Sequence, residues 1–358
     1  MSLEPVGPVR PASISLETIP PLGLGGATFS TQFNPSPDDE STLPVQAILR
    51  RALSLGINLI DTSPYYGNSE IVLGRALRAA WNDGWHRDGM FICTKVGRIR
   101  IDEFCYEPEW IRRSVERSLE RLGVRVLDVV YCHDVEFVTK KEVLAAVGEL
   151  YRLRDEGKIR YVGISGTPAL HHLEKGGCLM LGLPVPLLVE LAETVKTELK
   201  RPLDIILSYS NLTLQNSTLL TALPKFHAAG VRKVLTASPL SMGLLRSAGP
   251  QPWHPATASQ KAAVTKAVQY VEQQGHNLAD TSMRFVFARW EGCVVGGWSS
   301  VKEMEDAVRM WHHVKGGINR EEDEKLWRGA RDVMGSEVDT MWASPSVGWE
   351  FKDGSKVE

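Results

Sequence analysis

The chain has 358 residues, 43% hydrophobic, 23% charged and 8% aromatic, a balance that excludes disorder, collagen and coiled coil and supplies apolar material for one large core or two ordinary ones. Lys plus Arg number 41 against 43 for Asp plus Glu, a formal charge of −2, so no net field favours nucleic acid or an anionic membrane surface and a small-molecule partner is expected. Cys93, Cys105, Cys132, Cys178 and Cys293 are an odd set with no C-x-x-C pair, which favours reduced thiols in a cytoplasmic protein over a disulfide framework or structural zinc.

The start, Met1-Ser2-Leu3-Glu4-Pro5, has neither the basic opening nor the apolar stretch of a signal peptide. No run approaches the roughly 18 apolar residues of a membrane span. A Pro-rich leader (1–21) precedes the first strand-like run, 22–27. Helical periodicity at 44–55 leads to a strand at 57–61, and further strands are expected at 90–95 and 127–133, with a helix at 109–122 between them. Next come a helix at 140–156 and strands at 159–165 and 204–208. A helix at 217–229, strands at 231–237 and 292–297, and a helix at 301–314 complete the pattern.

Eight strands alternating with helices predict a parallel sheet clothed by helices. At ~45 residues per repeat the length exceeds a minimal (β/α)8 barrel, and the surplus falls at 176–202, 248–258, a helix near 262–274, and extra helices and a tail after Gly316. An open doubly wound sheet is the competing architecture. Its nucleotide fingerprint fails in Gly23-Leu24-Gly25-Gly26-Ala27-Thr28, which opens no helix. The expectation is an α/β protein, a TIM barrel over 22–335 with a tail at 336–358 and no internal linker.

In such a barrel, reactive groups belong at the C-terminal strand ends. Asp61, Lys95 and His133 end the second, third and fourth strands, and Tyr66 lies in the loop after the second. Each has a structural explanation: a turn-capping Asp, a packed Tyr, a Lys whose stem covers apolar surface, a hydrogen-bonded His. Three consecutive strands delivering ionisable groups to one mouth favour the chemical reading. Tyrosine, with a reference pKa near 10, transfers protons poorly at neutral pH unless its phenolate is stabilised. Lys95 is placed to do that, Asp61 to hold Lys95, and His133 to orient a substrate oxygen.

The segments Asp61-Thr62-Ser63-Pro64-Tyr65-Tyr66-Gly67, Thr94-Lys95-Val96-Gly97, Cys132-His133-Asp134-Val135-Glu136-Phe137 and Gly157-Lys158-Ile159-Arg160-Tyr161-Val162-Gly163-Ile164-Ser165-Gly166 resemble the aldo-keto reductase superfamily over about 22–314. His-Asp-x-Glu-Phe, Ile206-Leu207-Ser208-Tyr209 and Ala237-Ser238-Pro239-Leu240-Ser241-Met242-Gly243-Leu244-Leu245, with Trp253-His254-Pro255, look like its L-galactose dehydrogenase and fungal D-arabinose 1-dehydrogenase branch. The resemblance implies a barrel binding an extended nicotinamide cofactor, with Asp61, Tyr66, Lys95 and His133 as the catalytic tetrad. It implies oxidation of the anomeric C1 hydroxyl of an aldopyranose of D-arabinose, L-galactose or L-fucose type to a lactone, with hydride passing to the cofactor and Tyr66 acting as base.

By the same resemblance Ser165 would bind the carboxamide, with Gly166 where an asparagine is usual. Leu207 stands where the family has glutamine, leaving Ser208 as the nearest polar group, and Ala237 where an aromatic stacks on the nicotinamide ring. The segment from Ser238 through Pro239, Leu240 and Gly243 to Leu245 would cradle the pyrophosphate on backbone N–H groups. Ser299, Ser300, Glu303 and Asp306 would meet the adenosine half. A carboxylate at Glu303, where NADP-preferring members carry arginine, favours NAD over NADP, with Lys302 as counterweight.

His171-His172 and His312-His313 are adjacent pairs whose rings diverge on a helix, so no metal site is expected. Trp253, Trp298 and Trp342 are candidates to line a sugar pocket. The alternative functions are an NADPH-dependent aldehyde or ketone reductase with the same tetrad and, of another class, a non-catalytic cofactor-sensing subunit. The sequence assigns no oligomeric state.

Overall fold

The computed structural model describes residues 7, 14–166, 186–346, 348 and 350–352. Strands β1 (Leu22–Gly25), β2 (Leu59–Asp61), β3 (Phe91–Val96), β4 (Leu127–His133), β5 (Ile159–Gly166), β6 (Ile205–Tyr209), β7 (Lys233–Ala237) and β8 (Val294–Gly296) close into one parallel barrel, β8 pairing back onto β1. The helices are α1 (Val45–Ser54), α2 (Ser69–Asn82), α3 (Pro108–Leu122), α4 (Lys140–Asp155), α5 (Pro186–Leu199), α6 (Leu219–Ala228), α7 (Ala258–Gln273), α8 (Leu278–Arg289), α9 (Val301–Lys315) and α10 (Arg320–Met334). The sequence pattern thus locates all eight strands, with ends shifted by one to two residues.

The strands are buried on both faces save at Arg160, Tyr161, Tyr209 and Lys233 near strand ends, as a sheet covered by helices requires. Alternation then divides the apolar residues. Leu59, Phe91, Cys93, Val129, Tyr131, Ile205, Leu207, Leu235 and Val295 fill the barrel, whereas Ile60, Ile92, Val130, Ile206 and Val234 pack outward against the helices. Leu16, on a short turn of the leader (Leu16–Thr18), joins the interior cluster. The leader therefore contributes a side chain to the barrel filling, and Glu17 beside it pairs with Arg232 at 2.6 Å.

Two carboxylates at strand entrances hold the lower rim. Asp128 accepts from the Ile92 N–H at 2.8 Å and pairs with Arg87 and Arg160. Asp204 accepts from the Val162 N–H at 3.0 Å and pairs with Arg154.

The segment 176–202, expected as an insertion, supplies the regular barrel helix α5, because parallel β5 and β6 require a crossover. Residues 176–185, with His171, His172 and Cys178, lie outside the described residues. The additions to the plain repeat are α7 and α10, which pack on each other closely enough that Gly329 lies against the Tyr270 ring. The tail begins tied down: Gln215 Nε2 donates to the Thr340 carbonyl at 2.9 Å, and Asp339 pairs with Arg331 at 2.8 Å. Among the described residues no helix is long and apolar enough to cross a membrane.

Candidate active site

Alternation that fills the barrel also aims its last inward residues into the C-terminal mouth. Asp61 and Lys95 share the inward parity of Leu59 and of Phe91 and Cys93. His133 continues Val129 and Tyr131. Lys95 Nζ donates to Asp61 Oδ2 at 2.5 Å and to the Thr62 carbonyl at 2.9 Å. The β2–α2 loop turns at Ser63–Tyr66, its Tyr66 N–H bonded to the Ser63 carbonyl at 3.0 Å, and lays the Tyr66 ring 4.9 Å from Lys95 Nζ. That ring stands edge-on to His133, centroids 5.7 Å apart. The four sequence-predicted residues come together.

Their electrostatics differ from expectation in one respect. Burial, reinforced by the charges of Asp61 and Asp134, pushes the Tyr66 phenol well above its ordinary value. The Lys95 ammonium, 4.9 Å from the centre of the ring, is itself paired with Asp61. Burial also raises the Asp61 carboxyl, against the pull of Lys95. It pushes His133 down to about 3, so the imidazole is neutral.

A neutral imidazole acts through one tautomer, and the groups at its two nitrogens together favour the form protonated at Nε2. Asp134 Oδ2, which only accepts, lies 3.5 Å from His133 Nε2, while Ser63 Oγ, which accepts the Tyr65 N–H at 3.1 Å and still has a proton to give, lies 3.1 Å from Nδ1. The ring proton then sits on Nε2 as a donor. Ser63 lies inside a motif read from the sequence, but the contact spans 70 residues and has no local signal.

The remaining predicted positions divide. Ser165 is paired with His133 in the β4–β5 register and faces inward. Ser208 does not: it follows inward Leu207, so its side chain takes the outer parity of Ile206 and accepts from Asn211 Nδ2 at 2.7 Å. The inward residue beyond it is Tyr209, directly paired with Ala237. An aromatic side chain thus stands on the strand beside Ala237, where only the sheet register reveals it.

At Ser238-Pro239-Leu240-Ser241-Met242-Gly243 the backbone is left-handed at Ser238, Ser241, Met242 and Gly243. The N–H groups of residues 241–245 are not free as the sequence reading supposed, since each donates within the turn. At the far end, Ser300 caps α9 by accepting the Glu303 N–H at 3.1 Å, and Glu303 accepts the Ser299 N–H at 2.8 Å. Lys302 pairs with Asp306 at 2.6 Å, so the expected counterweight is partly neutralised.

Of the tryptophan candidates, Trp298 is buried over Gly296, Trp342 is buried edge-on to His254, and exposed Trp253 meets Phe33 of the β1–α1 loop edge-on at 6.2 Å.

Asp61 Oδ1, Ser210 Oγ, Asn211 Oδ1 and Ser241 Oγ are buried without a hydrogen-bond partner, and all follow or end strands β2, β6 and β7 at the upper rim. These four orphan atoms at the mouth fit a polar guest, and the residues present fit a nicotinamide nucleotide.

The fold and these residues define a parallel eight-stranded barrel with a buried Asp–Lys–Tyr–His cluster at its C-terminal mouth. A profile of the aldo/keto reductase family matches residues 21–316, and the chain belongs to that family. It is 40% identical over 322 residues to D-arabinose 1-dehydrogenase of Saccharomyces cerevisiae, covering 88% of this chain and 89% of that one. It is 34% identical over 291 residues to L-galactose dehydrogenase of Arabidopsis thaliana, covering 80% and 82%. Among solved structures, an aldo-keto reductase of Bacillus halodurans in holo form superposes with a TM-score of 0.60 at 20% identity, over 87% of this chain and 91% of that one.

Proposed function

We propose that the protein is an NAD-dependent aldose 1-dehydrogenase, oxidising the anomeric C1 hydroxyl of a D-arabinose-, L-galactose- or L-fucose-type pyranose to the lactone. Identity of 40% and 34% to two sugar dehydrogenases across at least four-fifths of each chain carries this reading. The assembled tetrad supports it.

The bound nicotinamide would supply the hydride acceptor. Ser165 and Tyr209 line the inward surface where that ring would lie, with the 238–243 turn, Ser299, Ser300, Glu303 and Asp306 extending along the nucleotide. Glu303 at the start of α9 would repel a ribose 2′-phosphate and accept from a free 2′-hydroxyl, which supports NAD over NADP. His133, donating from Nε2, orients the C1 oxygen. Tyr66 removes the C1 hydroxyl proton, and the Lys95–Asp61 pair fixes the ammonium beside the emerging phenolate.

One observation favours the reverse reading, reduction of an aldehyde or ketone by NADPH: the Tyr66 phenol holds its proton, which suits a donor. A panel of pentoses, hexoses and deoxyhexoses with NAD and NADP, run beside a panel of carbonyl compounds with the reduced cofactors, decides between them. Sugar-dependent NADH formation is the expected result; carbonyl reduction without sugar oxidation overturns the proposal. A cytoplasmic setting accords with Cys93, Cys105, Cys132 and Cys293, all free thiols.

A further inference from the structure

A charged pair that the proton transfer does not require stands beside the tetrad. Asp134 directly follows inward-facing His133 at the end of β4, so regular strand geometry would turn it toward the helices. Its backbone instead enters the left-handed region at φ 56, a conformation aspartate tolerates better than most L-residues. The turn brings Asp134 Oδ2 to 3.5 Å from His133 Nε2. Strained backbone beside a reactive side chain is a pointer to function.

Arg98, from the β3–α3 loop, holds this carboxylate through Nη1. Its guanidinium lies 4.0 Å from the Tyr65 ring and 5.3 and 5.4 Å from Phe104 and Phe137, which stack on each other. Arg98 Nη2 also donates to the Ile101 carbonyl at 3.1 Å, within a small hairpin closed by the Arg98–Phe104 bridge. Only 14% and 11% of the two side chains remain exposed. An ion pair so desolvated is commonly no more stabilising than apolar residues of the same volume. Stability therefore gives no reason to set one at the mouth, whereas a ligand does.

The ligand follows from the placement. An oxygen that accepts from His133 Nε2 sits beside the Asp134 carboxylate, which only accepts hydrogen bonds. A hydroxyl on the carbon next to the reacting one is then the group within reach. We propose that Asp134, positioned by Arg98, accepts a hydrogen bond from the substrate hydroxyl vicinal to C1, so that the site selects 2-hydroxy aldoses over their 2-deoxy counterparts. This rests on the sugar-oxidising reading above and names a specificity residue within it.

The test compares kcat/KM for a sugar that the native protein oxidises with kcat/KM for its 2-deoxy analogue. Two variants are measured: Asp134→Gly, because glycine keeps the left-handed backbone while removing the carboxylate, and Arg98→Met/Asp134→Gly, which leaves no buried guanidinium unpaired. The native protein is expected to prefer the 2-hydroxy sugar by about a hundredfold or more, since a buried acceptor left unpaired penalises the deoxy analogue. In both variants that preference should fall by at least about thirtyfold. Should Asp134→Gly fail to fold, the paired variant carries the comparison alone. Sugar oxidation with an unchanged preference overturns this inference and leaves the proposed function standing; no oxidation of any sugar by the native protein overturns both.

Discussion

Replacing Lys95 by methionine leaves a buried carboxylate with no partner: Asp61 Oδ2 is bonded to Lys95 Nζ, Oδ1 has no hydrogen bond, and both side chains are almost fully enclosed. The folded variant escapes that charge by protonating Asp61, which sets a ceiling on the loss. Starting from an unfolded carboxyl pKa of about 3.9, at about 1.36 kcal/mol per unit, holding the proton costs at most about 4 kcal/mol at pH 7 and about 1.5 kcal/mol at pH 5. The sign follows from linkage. Asp61 in the fold has its pKa raised by burial even with Lys95 opposing, so without Lys95 the folded state binds the extra proton and loses stability as pH rises above the unfolded value. Urea unfolding at the two pH values measures this, with Asp61→Asn/Lys95→Met as the control that carries no charge. Expected are a large loss for Lys95→Met at pH 7, a loss smaller by about 2 to 3 kcal/mol at pH 5, and recovery of most of it in the double variant. Equal stability of the single and double variants at pH 7 would refute the description of Asp61 as a buried charge dependent on Lys95.

Ser63→Ala removes the hydroxyl that lies 3.1 Å from His133 Nδ1 and so supports the form protonated at Nε2. The imidazole nitrogen resonances should shift toward a tautomer mixture and kcat should drop about tenfold with KM for NAD unchanged, as expected for a lost orienting contact; an unaltered Nε2-protonated spectrum would remove Ser63 from this role. Because burial raises the Tyr66 phenol and depresses His133 to about 3, oxidation should accelerate with pH from neutrality upward with no break near the ordinary histidine value of about 6.5. A plateau reached by pH 7 in the chemical step would show that Tyr66 is not the base. Glu303→Arg should raise the NADP-to-NAD ratio of kcat/KM about tenfold or more by replacing repulsion with attraction at the 2′-position. A native preference for NADP of tenfold or more would sink the assignment of Glu303.

Much of this protein was legible in its linear pattern, for reasons that belong to single strands. Alternating β-branched runs and helical periods place eight strands, and the position of Asp61, Lys95 and His133 at strand ends already implies a shared mouth, because a parallel barrel puts every strand end on one side. The length of 176–202 misled, since α5 resembles an insertion until the crossover between β5 and β6 is imposed.

What the tertiary structure decided depends on contacts across strands. Side-chain alternation turns Ser208 outward and Tyr209 inward, and the β6–β7 register sets Tyr209 opposite Ala237. The Ser63–His133 contact crosses 70 residues, and the left-handed turn at Asp134 returns a carboxylate that strand periodicity would send to the helices. Tyr66 shows the same division. Its identity and company were readable from the chain, but its high phenol pKa comes from enclosure and from the charges of Asp61 and Asp134, and desolvation is a property of the packed barrel rather than of any segment in it.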